Sequence, residues 1–531
     1  MSPSRSSISD ASTAADPAWS PSKTPKDHCV YEGGRAWICG RRIDANEQKA
    51  GEEDENVVNW RENDPENPRN WPEWKKWMVI VSILIVDQSV SFGSTGYSAA
   101  QTKFSEDMRV SKLVAVLPLS AFLFGYGLDP LILAWGSRKP VYIIGSAIMT
   151  IWTTASAVAP NLDGFLALRF LGGFIGAMSC ANIGGSISDL WAPTQTAPAM
   201  SAYVATAAGG PGLAYAPSSM IFQFRPWRHL MWAISGIQGG TLLILVVLQR
   251  ETRHSILLER RLKKLKKETG NDKLHLPAGM EHKGWGDLLK NNLLRPLQFE
   301  VTEPICFAAA LINVQLFGLN YLLTGAYPLV FGDNGGRTWN TLQVGMVWFS
   351  LVAGVWTGPI THTLQERKFR QLTREHGGIL VPERRLGMAC VAGIVYPVSL
   401  FWFAWTSYPS VHWFVPALAT YFFGWSFFAL IHMVNMYLTD SYGEFAASAI
   451  AASTLARNLA GAGFPLFGTQ MYQNLGYQWA STLLAFLGLI VTTIPFFFLR
   501  YGKWLRRKSP FARKHMEEMG EDIEDGKGRE A

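Results

Sequence analysis

Long apolar runs separated by short polar breaks dominate the chain from residue 77 onward. A helix needs about 20 apolar residues to cross the hydrocarbon core of a bilayer. Runs of that kind predict twelve spans, near 77–97, 112–134, 141–159, 164–186, 198–222, 229–248, 304–331, 341–361, 386–406, 413–437, 444–468 and 478–500. Spans 4, 5 and 11 are rich in Gly and Ala, which lets helices approach closely in lipid. The polar stretch 249–302 splits the spans into two sets of six. The pattern predicts an all-α membrane protein in five segments: a tail over 1–74, a six-helix half over 75–248, a linker over 249–302, a second six-helix half over 303–501 and a closing tail over 502–531. Residues 1–74 are rich in Ser, Pro, Asp, Glu and Asn and lack the apolar core of a signal peptide, so a disordered tail is expected.

The placement of Lys and Arg orients these spans. Twelve basic residues lie in 249–302, among them Arg260, Arg261, Lys263, Lys264, Lys266 and Lys267. Others follow span 2 (Arg138, Lys139), span 8 (Arg367, Lys368, Arg370, Arg374, Arg384, Arg385) and span 12 (Lys503, Arg506, Arg507, Lys508, Arg513, Lys514). With twelve spans all of these fall on one side, which predicts that the linker and both termini are cytoplasmic. Arg225 and Arg228, between spans 5 and 6, are the exception. The basic stretch 253–268 predicts an amphipathic helix, either lying on the inner leaflet or acting as a solvated connector. The cell membrane is the expected location of this multi-pass chain, with a vacuolar or other internal membrane as the alternative.

Composition narrows the class further. Charged residues make up 17% of the chain, against about 25% in soluble domains. The net charge of +7 sits in the loop clusters, so no nucleic-acid partner is expected. The five cysteines, Cys29, Cys39, Cys180, Cys306 and Cys390, form no CxxC pair, so neither a metal site nor a cofactor is expected. There is no HExxH, GxSxG or P-loop, and an enzyme is not expected.

Several stretches carry a family resemblance. They are Asp64-Pro65-Glu66-Asn67-Pro68 with Asn70-Trp71-Pro72 before span 1, Arg250-Glu251-Thr252 after span 6, Gly325-Ala326-Tyr327-Pro328 in span 7 and Tyr437-Leu438-Thr439-Asp440-Ser441-Tyr442 in span 10. Together they resemble the fungal twelve-span drug:proton antiporter group of the major facilitator superfamily. The resemblance covers about 60–510 and implies the major facilitator fold, in which two six-helix halves are each built from inverted three-helix repeats. Two of the group's motifs are only partly kept. Gly136-Ser137-Arg138-Lys139-Pro140 follows span 2, but Leu133 stands where an acidic latch residue is usual. Asp129, one turn deeper, either takes over that role or has another. In span 5, Gly209-Gly210-Pro211-Gly212 supplies one Gly-Pro step, while Ala214-Tyr215 replaces the second and Pro217 lies beyond. Gly136, Arg138, Gly210, Pro211, Gly212 and Pro217 are therefore the gating and motif candidates.

Ionisable groups inside spans cost about 2.5–3.5 kcal/mol on insertion scales, so each is a functional candidate. Asp87, in the middle of span 1, either binds a transported proton or pairs permanently with a cation. Arg169 matches the superfamily's helix-4 arginine, which implies proton coupling or gating; a structural salt bridge is the alternative. Arg457, His432, Asn435, Asn313 and Gln315 are candidates to line a substrate cavity, with simple packing as the alternative for the histidine. Asp189, Glu303 and Asp440 end helices on the basic side and suit gating pairs. The resemblance implies a monomeric, proton-coupled secondary active efflux transporter. It would export a lipophilic or amphiphilic small molecule (a drug, toxin or secondary metabolite such as a glycolipid) by alternating access. A proton symporter importing a nutrient or organic acid, or a polyamine exporter, is the alternative.

Overall fold

The computed structural model describes residues 29–32, 35–38, 41–42, 56–61, 63–128, 137–192, 195–277, 294–332, 337–375 and 382–518. The first six spanning helices are α1 (Glu73–Thr95), α2 (Leu117–Gly127), α3 (Arg138–Val158), α4 (Leu162–Ala181), α5 (Ala197–Phe224) and α6 (Trp227–Leu248). The second six are α7 (Pro304–Phe331), α8 (Thr341–Glu375), α9 (Gly387–Thr406), α10 (Phe414–Tyr442), α11 (Ala446–Leu475) and α12 (Tyr477–Val491). Nine described stretches are long and apolar enough to cross a membrane by themselves. The other three have plain reasons. α2 is short within the described residues, and α5 and α11 are built largely from Gly, Ala and Ser. Large apolar side chains such as Leu243, Val247, Ile151, Ile360 and Ile490 point outward and exposed, a surface suited to lipid rather than water.

Part of the stretch expected to be a disordered tail has structure. Strands β1 (Cys29–Glu32), β2 (Arg35–Ile38) and β3 (Arg41–Arg42) form an antiparallel sheet in that order. The described residues of 56–61 and 63–72 then dock on the linker. Val58 N–H donates to His275 O at 2.9 Å and His275 N–H to Asn56 O at 2.9 Å. Asp64 accepts from Glu66 N–H at 3.0 Å, and Asn67 accepts from Arg69 N–H at 3.0 Å, so the Asp-Pro-Glu-Asn-Pro stretch is a self-capped turn. The Asp64 carboxylate also grips Arg261 of the linker helix His254–Thr269. Trp60 lies 5.7 Å from the Arg261 guanidinium.

The two halves repeat one packing solution. α2 crosses α4 where Gly125 faces the backbone of Phe170 and Phe174, and Gly173 faces the backbone of Phe122. α8 crosses α10 where Gly354 faces the backbone of Tyr421 and Trp425, and Gly424 faces the backbone of Leu351. The offsets match: each glycine meets backbone three residues before its partner glycine. A side chain at any of the four would collide with main chain, which cannot move aside as a rotamer can. Sixteen residues after Gly173 comes Asp189, and sixteen after Gly424 comes Asp440. Each of these acids meets an arginine at the start of the preceding helix: Arg138 at the head of α3 lies 3.5 Å from Asp189, and Arg385 just before α9 lies 3.2 Å from Asp440.

Between the halves, α5 packs on α8 and α2 on α11. The exception to the charge rule also has a use. Arg228 donates from Nη1 to Ala157 O and Ala159 O, both at 3.0 Å, and so caps the carbonyl end of α3.

Two outcomes follow from this packing. Gly173→Val and Gly424→Val should each cost at least about 1–3 kcal/mol, read as a lower melting temperature of the full chain in detergent, with Gly236→Val, which has open space, as the neutral comparison. Arg261 holds the Asp64 carboxyl below its ordinary value of 3.8. The clamp is therefore complete above that value and is lost as pH falls through the lower folded-state value. Hydrogen exchange of the linker helix should rise between about pH 5 and pH 2, and Asp64→Asn should remove that acid-dependent step.

Candidate functional site

The buried centre of the bundle holds a cavity of about 30 Å³, room for about one water. Its lining comes from both halves: Asp87, Ser91 and Ser94 of α1, Phe122 and Tyr126 of α2, Phe317 and Tyr321 of α7, and Arg457 and Asn458 of α11. The sequence candidates Asp87 and Arg457 thus meet in one place, although 370 residues separate them. Asp87 is buried beside Cys180 and Thr206, and its Oδ2 has no hydrogen-bond partner. The Arg457 guanidinium lies 4.5 Å from the Phe317 ring, and its Nε is unpartnered. The field of this cation acts on Asp87. An incompletely satisfied carboxylate from one half and an incompletely satisfied guanidinium from the other thus line one small space.

Arg169 does something else. It is buried and donates to three backbone carbonyls: Nε to Pro118 O at 3.2 Å, Nη2 to Ser94 O at 3.0 Å and Nη1 to Gly93 O. Its guanidinium lies 4.9 Å from the Phe122 ring and 5.4 Å from the Tyr97 ring. The planar fork ties α4 to α1 and α2 immediately beside the cavity-lining Ser94 and Phe122. This neutral-acceptor arrangement differs from the salt bridge considered as the alternative.

The α5 motif lies at a double contact. A Cβ at Gly210 would run into Ser91 of α1, while a Cβ at Gly212 would come within 2.8 Å of Val352 and 3.1 Å of Trp348 on α8. Gln88 donates to Gly210 O at 3.2 Å. Pro211 and Pro217 both lie inside this helix. The segment therefore touches its own half on one side and the other half on the opposite side.

Arg138 donates to Asn182 and pairs with Asp189. Glu251, part of the sequence signature, caps α3 from 112 residues away: it accepts from Arg138 N–H at 3.1 Å, from Lys139 N–H at 3.2 Å and from Ser137 Oγ. In the second half Arg385 also meets Glu366 at 3.5 Å, and Arg506 grips Glu383 in a two-pronged pair at 3.0 and 2.8 Å. Asp129 and Gly136 lie outside the described residues.

The remaining candidates scatter. Asn313 is buried one turn before Phe317 on the same face of α7, and its Oδ1 is unpartnered. Gln315 lies on another face and donates to Leu484 O of α12 at 3.2 Å. His432 and Asn435 do not line the central cavity. His432 instead lies on the α5–α8–α10 seam, in contact with His362 at 3.0 Å. The cavity residues missed from sequence are Val90, Ser91, Ser94, Phe122, Leu123, Tyr126, Ala207, Phe317, Tyr321 and Asn458. Asn458 adjoins Arg457 and was legible as its neighbour; the others are ordinary membrane residues in composition.

Residues 78–465 match the sequence profile of the Major Facilitator Superfamily. The chain belongs to the major facilitator superfamily. It is 33% identical over 470 residues to a protein named "Major facilitator superfamily multidrug transporter mdrA" of Aspergillus fumigatus, with 87% of this chain and 77% of that one covered. It is 32% identical over 460 residues to "Efflux pump FUB11" of Gibberella moniliformis, covering 86% of this chain and 77% of that one. Among solved structures it resembles the superfamily's proton:xylose symporter XylE, with a TM-score of 0.58 at 13% identity over 81% of this chain and 97% of that one. That likeness establishes the fold: twelve helices in two halves, as the superfamily builds them. Within this superfamily member, Asp87 and Arg457 line a space shared by its halves, and the carbonyl-bound Arg169 stands beside it.

Arg169→Lys keeps the charge but cannot span three carbonyls at once. We expect a loss on the order of 3 kcal/mol, from charged hydrogen bonds of about 1.5–3 kcal/mol each. Thermal unfolding of the full chain in detergent, compared at equal lipid content, measures it.

Proposed function

We propose that the chain is a proton-coupled secondary active transporter that exports a lipophilic or amphiphilic small molecule by alternating access. In this reading it works as a monomer in the cell membrane, with the face carrying the linker toward the cytoplasm. The observation that carries the reading is the sharing of one buried cavity by Asp87 of the first half and Arg457 of the second. With Asp87 ionised, the two charges offset each other and favour contact between the halves. With Asp87 protonated, Arg457 is left without that counter-charge and the contact weakens. Each proton bound or released thus biases the rocking of one half against the other.

The walls suit the substrate class. Phe122, Tyr126, Phe317 and Tyr321 offer aromatic faces beside the polar Asp87, Ser91, Ser94, Arg457 and Asn458, a mixture that fits an amphiphilic molecule. The cavity is too small for an organic molecule in this arrangement, so entry of one requires the halves to part. The export direction draws support from the relative named an efflux pump.

Efflux of the dye Nile red from preloaded cells expressing the full chain tests the reading. Asp87→Asn should lower pH-driven efflux at least about tenfold, a barrier change of about 1.4 kcal/mol, with Asp87→Glu restoring part of it. Full pH-driven efflux in Asp87→Asn, at equal amounts of protein in the membrane, removes the proton-carrier role. Uptake without efflux reverses the proposed direction.

A further inference from the structure

Away from the central cavity, two buried imidazoles face each other on the seam between the halves. His362 of α8 and His432 of α10 lie with Nε2 to Nε2 at 3.0 Å and their rings edge to face, 4.1 Å between centroids. Ser201 of α5, in the other half, lies 2.8 Å from His362 Nδ1 and 3.4 Å from His432 Nε2. Phe428 stacks on His432, whose Nδ1 has no partner. The pairing follows from the helix crossing. His362 comes eight residues after Gly354 and His432 eight after Gly424, so both stand two turns from the point where α8 and α10 meet backbone to backbone. The corresponding positions of the first half are Leu133 and Ala181, so the imidazole pair belongs to the second half only.

We propose that the His362–His432 pair is a second proton-binding site, and that a proton there releases α5 from α8 and α10. The inference rests on the proton-coupled reading above and assigns it an additional residue pair. Two nitrogens in contact share one hydrogen. The neutral arrangement that leaves an acceptor rather than a donor unpaired has His432 Nε2–H donating to His362 Nε2 and His362 Nδ1–H donating to Ser201 Oγ. The free lone pair is then that of His432 Nδ1. An arriving proton forms one N–H bond there and leaves one positive charge on the ring.

The surroundings do not offset that charge. α5 contributes Ser201 and, along 197–212, Tyr203 as its titratable side chain. α8 contributes Glu366, one turn beyond His362, and α10 contributes Asp440, two turns beyond His432. Both carboxylates already pair with Arg385, at 3.5 and 3.2 Å, and the charge of Arg385 acts on His432 with like sign. A charged imidazole is therefore disfavoured in the closed seam and favoured where water enters, which links protonation to opening.

The test needs no substrate. Spin labels on the full chain in lipid nanodiscs, at Gln195→Cys beside α5 and Thr363→Cys on α8, report the seam distance by pulsed electron resonance. Measured in an Asp87→Asn background, which removes the central titration, lowering pH should lengthen it in a one-proton transition. His362→Gln/His432→Gln should abolish the transition. Ser201→Ala, which keeps both imidazoles and weakens the closed state, should move its midpoint to higher pH. A transition that survives the double replacement, a distance independent of pH in the unaltered pair, or an unmoved midpoint in Ser201→Ala overturns the proposal. A transition lost in Asp87→Asn but kept in the histidine variants assigns it to the central cavity instead. If Nile red efflux fails while the histidine-dependent distance change stands, the transport reading fails and the proton site remains.

Discussion

Two backbone-to-backbone crossings hold this bundle together, one in each half. In lipid there is little hydrophobic gain from pressing helices against one another, so contact area at close range and internal hydrogen bonds decide how they pack. Gly125 with Gly173, and Gly354 with Gly424, bring main chain against main chain. Everything further along the crossing helices inherits its register from those points. Asp189 and Asp440, which pair with Arg138 and Arg385, follow Gly173 and Gly424 by sixteen residues each, and His362 and His432 follow Gly354 and Gly424 by eight each.

Polar chemistry is distributed according to what each depth tolerates. Toward the linker face, carboxylates are spent freely: Glu251 binds backbone amides, Glu383 grips Arg506, and Asp64 ties the segment before α1 to the linker helix. Near the middle, charge is rationed to an arginine held by carbonyls and to two groups that share a small cavity. Arg169 is satisfied by three carbonyls, whereas Asp87 and Arg457 are left with unpartnered atoms facing a small common space. The contrast separates a fastening from a site.

Span number and the division into two sixes were readable because hydrocarbon thickness sets a length that apolar runs must match. Asp87 and Arg457 stood out because charge is rare at that depth. What sequence did not reveal was which face of a nearly uniform apolar helix turns inward. In α7 the polar Gln315 drew attention, yet it faces α12, while Phe317 and Tyr321 reach the cavity. His362 was overlooked because it falls one residue beyond the expected edge of span 8 and gains meaning only beside His432, 70 residues on. Glu251 was visible as a signature, but its work as a cap depends on a partner 112 residues away.

The Gly209–Gly212 stretch of α5 has a mechanical consequence. Knobs seated in holes resist sliding, since each must climb out before the next can settle. Along this stretch Gly210 toward α1 and Gly212 toward α8 present no side chain of their own. Ser91 of α1 and Val352 with Trp348 of α8 seat against those bare positions, so the middle of α5 supplies the holes and its neighbours the knobs. Movement of one half over the other must therefore lift Trp348 and Val352 out of their socket at Gly212 before α5 can settle against a new stretch of α8.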